Sequence, residues 1–206
     1  MGNANFNMRV AAAGFAGLLS EVRACTLCAA HLPNPPRPVL RASPSASLMI
    51  VGQAPGRRVH ESGIPWNDPS GDLLREWLRL DREAFYDERR IAIIPAGFCY
   101  PGTGESGDLP PRPECAPRWH PRLRARLPAI RLTLLVGSYA QAYYLGERRK
   151  KTIADTVRAR GEYLPEFFPL PHPSPRNRLW LRKNAWFRRE VLSELRRKVK
   201  VCLRNE

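Results

Sequence analysis

No stretch of this sequence offers the roughly 18 consecutive apolar residues that a membrane-crossing helix needs, which excludes a bilayer-spanning helix. The best apolar stretch near the start, residues 10–19, follows Arg9 and has the length of a signal-peptide core. The polar run Ser20-Glu21-Val22-Arg23 comes next and no small-x-small cleavage pattern follows. A cytoplasmic setting is the expectation, in a bacterium one close to the nucleoid. Acidic residues are scarce: 19 Asp and Glu stand against 34 Lys and Arg, a net charge of +15. A surplus of that sign suits a polyanionic partner, nucleic acid first among them, although solubility alone is served by the same charge. Cysteine is sparse and odd in number: Cys25, Cys28, Cys99, Cys115 and Cys202. That count argues against a closed disulfide framework. One close pair with two later cysteines reads instead as a metal site.

The 206 residues, 43% of them hydrophobic, suit one domain over residues 1–206 with a sizeable core. Residues 9–22 place Phe15, Leu18, Leu19 and Val22 at helical spacing, predicting an opening helix that runs into Cys25-x-x-Cys28. The proline-rich residues 32–44 form an extended connector. Short apolar runs at 47–51, 91–94, 131–136 and 167–170 end in Gly or Pro and read as buried strands. Helices are predicted over 72–80, with Ser70 or Asp72 as cap, over 138–145, closed by Gly146, and over the basic 183–199. A Gly- and Pro-rich loop fills 100–113. This alternation predicts an α/β fold, a three-layer α/β/α sandwich with a short, mostly parallel four-stranded central sheet. Ligands of such folds sit beyond the carboxyl ends of the strands. Three of those ends are residues 52–56, 95–99 and 172–175.

Three motifs occupy those ends and the loop between them. Gly52-Gln53-Ala54-Pro55-Gly56 is a glycine-flanked turn whose amides at Gln53 and Ala54 are able to hold a carbonyl oxygen, or simply a turn. In residues 63–71 (GIPWNDPSG), Trp66 is a stacking platform for an extruded base or a core aromatic. Asp68, just ahead of a helix, is a catalytic carboxylate or only a helix cap. In His172-Pro173-Ser174-Pro175-Arg176-Asn177, prolines hold a histidine on a stiff loop able to press Pro175 or Arg176 into a duplex, or merely make a turn.

Taken in order, GQAPG, G-x-P-W-x-D-x-S-G and HPSPRN resemble the motifs of the uracil-DNA glycosylase superfamily, over most of the chain from Cys25 to Asn177. Residues 131–146 (RLTLLVGSYAQAYYLG) resemble that family's third strand and helix. Cys25, Cys28, Cys99 and Cys115 resemble the iron–sulfur ligands of its family-4 type, implying a [4Fe–4S] cluster of structural role, with zinc as the alternative for four thiolates. The chain also departs from the family. Gln53 stands where family-4 enzymes carry a glutamate, Ala54 where family-1 enzymes carry an aspartate, and Pro95 where an asparagine reads uracil. Asp68 resembles the aspartate of a G-D-x-S-G-like element of family-5 enzymes.

The resemblance implies a monofunctional glycosylase that flips uracil, or another deaminated base, out of DNA and hydrolyses its N-glycosidic bond. Asp68 and His172 are its expected catalytic pair; Gln53, Ala54, Trp66, Asn67 and Phe98 its expected base pocket; Ser174, Pro175, Arg176 and Asn177 its expected DNA contacts. His60 or main chain near Phe98 is a further way to read the base edge. A monomer acting on uracil-containing DNA is expected. The rivals are a non-catalytic or covalent uracil-DNA binder on the same fold, which the absent carboxylates at 53 and 54 favour, and a zinc-bearing nucleic-acid module without a base pocket.

Overall fold

The computed structural model describes residues 14–105 and 107–204. The opening helix α1 spans described residues 14–23; residues 9–13 of the expected helix lie outside the described range. Strand β1 is Leu48–Val51, followed by α2 (Arg57–Ser62), α3 (Pro69–Leu78), α4 (Arg82–Tyr86) and β2 (Ile91–Ile93). A two-residue hairpin, β3 (Thr103–Gly104) with β4 (Gly107–Asp108), interrupts the loop that the sequence left unstructured. Then come α5 (Cys115–Arg124), β5 (Leu132–Val136), α6 (Ser138–Leu145), α7 (Ile153–Arg158), β6 (Phe167–Leu170), α8 (Arg178–Lys183) and α9 (Leu192–Leu203). The basic C-terminal helix expected over 183–199 runs over residues 185–203, with a π-helical turn at Phe187–Val191 leading into α9, and the separate α8 ends just before it at Lys183.

The sheet runs β2-β1-β5-β6 with all three pairings parallel. All sixteen strand residues are buried, as a parallel sheet covered on both faces requires. Alternation divides them between two cores. Leu48, Ile50, Ile91, Ile93, Leu134 and Phe168 pack with Leu74 and Trp77 of α3 and Leu195 and Val199 of α9. Met49, Val51, Ala92 and Leu135 pack with Phe15, Leu18 and Val22 of α1, Trp119 and Leu123 of α5, and Ala140 of α6. These are the two helical layers of a three-layer sandwich. The proline-rich connector covers the free edge of the sheet, where Arg41 bridges Ile93 of β2. From β1 the chain first goes outward to β2, then returns past β1 to β5. The switch point therefore lies between the ends of β1 and β5, at Gly52 and Gly137, and it positions the site.

Helix α3 begins three residues before the expected start. Pro69 fits its first turn, and Asp68 is the N-cap, accepting from the Gly71 amide at 2.8 Å; Ser70 and Asp72 lie inside the helix. Two residues before this cap lies Trp66, one of two non-glycine residues with positive φ (57°) among those described. That left-handed turn drives the Trp66 carbonyl against the first turn of α3, where a Cβ on Gly71 would stand 1.7 Å from the Trp66 oxygen. Backbone occupies that space, so a methyl group has no means of displacing it.

An alanine at a helical glycine ordinarily adds about 1 kcal/mol of stability. Gly71→Ala is expected to do the opposite, costing about 1–3 kcal/mol of stability or more through overpacking, read as a lowered urea midpoint. A raised midpoint would contradict the close approach.

Candidate active site

A cavity of about 520 Å³ opens beyond the strand ends at the switch point. Residues 52–56 from β1, Pro95 after β2, residues 137–139 after β5 and Pro171 with His172 after β6 all line it. Trp66, Asp68 and Ser70 close one side, and Ser174, Arg176, Asn177 and Trp180 form the rim. Asp68 and His172, from opposite halves of the chain, thus face one space. Two glycines make this possible. A Cβ on Gly52 would stand 2.7 Å from Cζ2 of Trp66, and Gly137, at φ 92°, leaves room for the His172 ring. The Trp66 and His172 rings stack on each other, with centroids 5.5 Å apart and planes at 28°.

Burial fixes the charge states here. Desolvation depresses the His172 imidazole to about 4, so the ring is neutral at neutral pH. Among the described residues no group hydrogen-bonds its ring nitrogens. A neutral imidazole with a free N–H is a donor to a carbonyl oxygen or an oxyanion. The Asp68 carboxyl is pushed up, mainly by burial, while the amides of Gly71 and Ser70 at the head of α3 pull it back down. Asp68 therefore serves both readings at once: it caps α3 and it presents a carboxyl to the cavity.

On the β2 side of the cavity the main-chain donors of residues 95–97 are engaged or absent. The Ala96 amide donates to Gly52 O at 3.1 Å and the Gly97 amide to Gln53 O at 2.8 Å. Pro95 has no amide hydrogen, and its carbonyl accepts from Nε2 of the buried His120 at 3.0 Å. Burial depresses His120 to about 4. The neutral ring donates through Nε2, so its Nδ1 accepts from the Tyr144 hydroxyl at 2.8 Å. His120 stacks on Phe98, with centroids 5.8 Å apart and planes at 9°.

On the far side of residues 95–99 lies a second, small pocket. Cys25, Cys28, Cys99 and Cys115 all line it, with Phe98 and Trp119. Two of these thiols follow α1, one follows β2 and one opens α5, so the fold gathers the four that sequence spacing had singled out. Burial pushes Cys99 up to about 11 and Cys115 up to about 12, and neighbouring thiolates of the set add to both. Four thiolates at one place are unfavourable without a compensating cation, which is the donor chemistry of a metal centre. The Phe98 amide points at Cys115 Sγ, 3.4 Å away, as an N–H donor to a sulfur ligand would. As the side chains stand, no three His, Cys, Asp or Glu among the described residues are set to hold a single ion.

The model of the Uracil DNA glycosylase superfamily matches residues 41–196, well over half of the chain. The chain belongs to the uracil DNA glycosylase superfamily. It is also similar to a solution structure from Methanosarcina acetivorans, described as a candidate uracil DNA glycosylase, at 17% identity over 78% of this chain and 97% of that one, with a TM-score of 0.46. No described helix is long and apolar enough to cross a membrane.

For a superfamily member, the fate of each residue named from sequence matters. Gln53, Ala54, Asp68, His172, Ser174, Arg176 and Asn177 line the cavity or its rim. Pro175 is exposed beside them. Phe98 does not reach the cavity. It lies beyond the end of β2 with its ring buried against His120, among the cysteines, so it is not a wall of the base slot. Asn67 also turns away, its carbonyl oxygen accepting from Arg82 at 3.2 Å near the surface. Trp66 lines the cavity, but its ring is already engaged by His172 and lies over Gly52; it braces the histidine rather than offering a free platform. His60 lies outside the cavity, in a groove with Arg37 and Tyr100. Sequence reading missed Ser138 and Tyr139, whose signal was the strand-ending Gly137. It also missed Asp108, which the hairpin brings to the cavity, and His120, which holds the Pro95 carbonyl from behind.

His120 and His172 both titrate near 4 in place of the ordinary 6.5. As pH falls, the unfolded chain gains protons that the native state refuses. Stability is full above about 6.5 and is lost as pH falls towards 4, by ~3 kcal/mol for each ring at full effect. The raised Asp68 works oppositely and offsets part of the loss. Denaturation midpoints measured from pH 7 to pH 4 are expected to fall, with a shallower slope for His172→Gln. Parallel slopes in the two proteins would show that His172 is not held neutral by burial.

Proposed function

We propose that this chain is a monofunctional DNA glycosylase that extrudes uracil, or another deaminated base, and hydrolyses its N-glycosidic bond to leave an abasic site. The observation that carries the reading is the meeting of Asp68 and a neutral His172 across one cavity at the switch point of a superfamily member. Surface Arg and Lys hold phosphates, which fixes position without reading sequence. While the guanidinium of Arg176 lies against Gly107 of the hairpin, Pro175 is exposed at the rim with Leu179 of α8 66% exposed near it. Wedging these into the stack helps displace a nucleotide at a cost of a few kcal/mol. The base then lies against Gln53 and Ala54, and because the amides of Ala96 and Gly97 are engaged, donors to its edge come from the other walls.

Bond cleavage places negative charge on the leaving base and positive character on the sugar. The His172 N–H stabilises the base oxygen as an oxyanion donor. The Asp68 carboxylate faces the sugar cation and orients the attacking water. The described lining of the cavity contains no lysine to form a Schiff base, which supports hydrolysis without strand cleavage. DNA carrying labelled uracil is expected to yield free uracil and an alkali-labile site, with no break before alkali. Parallel duplexes with hypoxanthine, xanthine and G:T rank the bases accepted. Tight or covalent retention of uracil DNA without base release would favour the rival reading of a damage binder.

We also assign Cys25, Cys28, Cys99 and Cys115 to a [4Fe–4S] cluster of structural role, zinc being the alternative. Their shared pocket supports this, and the bound group would tie the end of α1 to the loop between Cys99 and Cys115. Cys99→Ala or Cys115→Ala is expected to abolish bound iron in anaerobically purified protein and to lower its melting temperature. Iron content unchanged in a Cys25→Ala, Cys28→Ala protein would overturn the assignment.

A further inference from the structure

Arg75 is the only Arg, Lys, Asp or Glu in the buried class among the described residues, at 6% exposure. It sits on α3 in the core layer, where an apolar residue avoids the cost of desolvating a charge, several kcal/mol per ion. Its counter-ion, Asp72, is 73% exposed, so that ion pair is screened and weak. The inner end of the guanidinium is directed at main chain instead. Nη1 donates to Trp66 O at 3.2 Å and to Tyr86 Oη at 3.2 Å, and Tyr86 Oη donates onward to Pro65 O at 2.8 Å. Phe85 and Tyr86 cover the guanidinium at 5.3 and 5.7 Å. Two successive carbonyls, at Pro65 and in the left-handed Trp66, are thus fixed from one buried cation. A planar fork of donors can do this; an ammonium on a flexible stem holds such a pair less well.

We propose that Arg75 is a positioning residue of the active site, clamping the Pro65–Trp66 main chain in its left-handed turn so that Trp66 braces His172 and the Asp68 carboxyl faces the cavity. This rests on the reading of Asp68 and His172 as the excising pair. Nothing in the role requires Arg75 to touch DNA, so it separates chemistry from binding. Misplacing a catalytic group by about 1 Å costs on the order of 10²-fold in rate.

The test is single-turnover release of uracil from duplex DNA, with affinity read by anisotropy and folding by near-UV dichroism. Arg75→Met keeps the volume and removes the clamp; it is expected to slow excision roughly 10- to 10²-fold with the Kd for DNA within about twofold of wild type. Arg75→Lys recovers part of the rate. In an Asp68→Asn, His172→Ala background, Arg75→Met changes the residual rate less than about twofold, because both groups it positions are gone. A merely structural role would give the same factor in both backgrounds, and that result overturns the proposal, as does a folded Arg75→Met protein at wild-type rate. If Arg75→Met does not fold, Tyr86→Phe removes the hydroxyl that links Arg75 to the Pro65 carbonyl, leaves the Trp66 bond, and carries the test with a smaller loss in the same direction; an unchanged rate there overturns the clamp. Wild-type protein releasing no base, or releasing it equally well as Asp68→Asn, overturns the functional reading itself and the proposal with it.

Discussion

The contact between the Trp66 carbonyl and the first turn of α3 decides how the site is assembled. It requires a left-handed tryptophan, a glycine at position 71 and a donor for the carbonyl, which Arg75 supplies. A non-glycine residue in that conformation costs on the order of 1–2 kcal/mol, so the surroundings must over-determine it. Once the turn is made, Asp68 falls at the N-cap of α3 with its carboxyl towards the cavity. The Trp66 ring then lies over Gly52, at the end of β1, and against His172, which follows β6. One backbone turn thus links a helix, two strand ends and both members of the proposed catalytic pair.

Residues 95–99 are the other shared element. Their front edge, Pro95, faces the cavity and their back face meets the four cysteines. His120, on the helix that Cys115 opens, reaches back to the Pro95 carbonyl. One helix and one hydrogen bond therefore connect the cysteine pocket to a wall of the cavity. The proposed centre at those thiols would support that wall from behind.

Much of the architecture was legible because parallel strands buried on both faces leave short apolar runs that stop at Gly or Pro. His172 and the rim residues could be named because strand ends converge in such folds, and Asp68 because its segment resembles a family-5 motif. The errors have specific causes. Helices of five or six residues, such as α2, α4 and α7, are too short to display periodicity, and a hairpin of two-residue strands shows no alternation. Phe98 and Asn67 sit in the right segments, but which way a side chain leaves a strand end or a left-handed turn depends on tertiary contacts: His120 draws Phe98 inward and Arg82 draws Asn67 outward. Trp66 was recognised as an aromatic of the site, yet its partner is a histidine from the other half of the chain. Arg75 was invisible, because an arginine on a helix of a strongly basic chain reads as a solvated charge.

The central claim is that Asp68 and His172 serve one transition state from opposite sides of the cavity. Single-turnover excision of uracil by wild type, Asp68→Asn, His172→Ala and the double variant tests it most directly. Each single change is expected to cost on the order of 10² to 10³ in rate, and the double variant to fall well short of the product of the two losses. Fully multiplicative losses, or an Asp68→Asn protein at wild-type rate, would contradict the account.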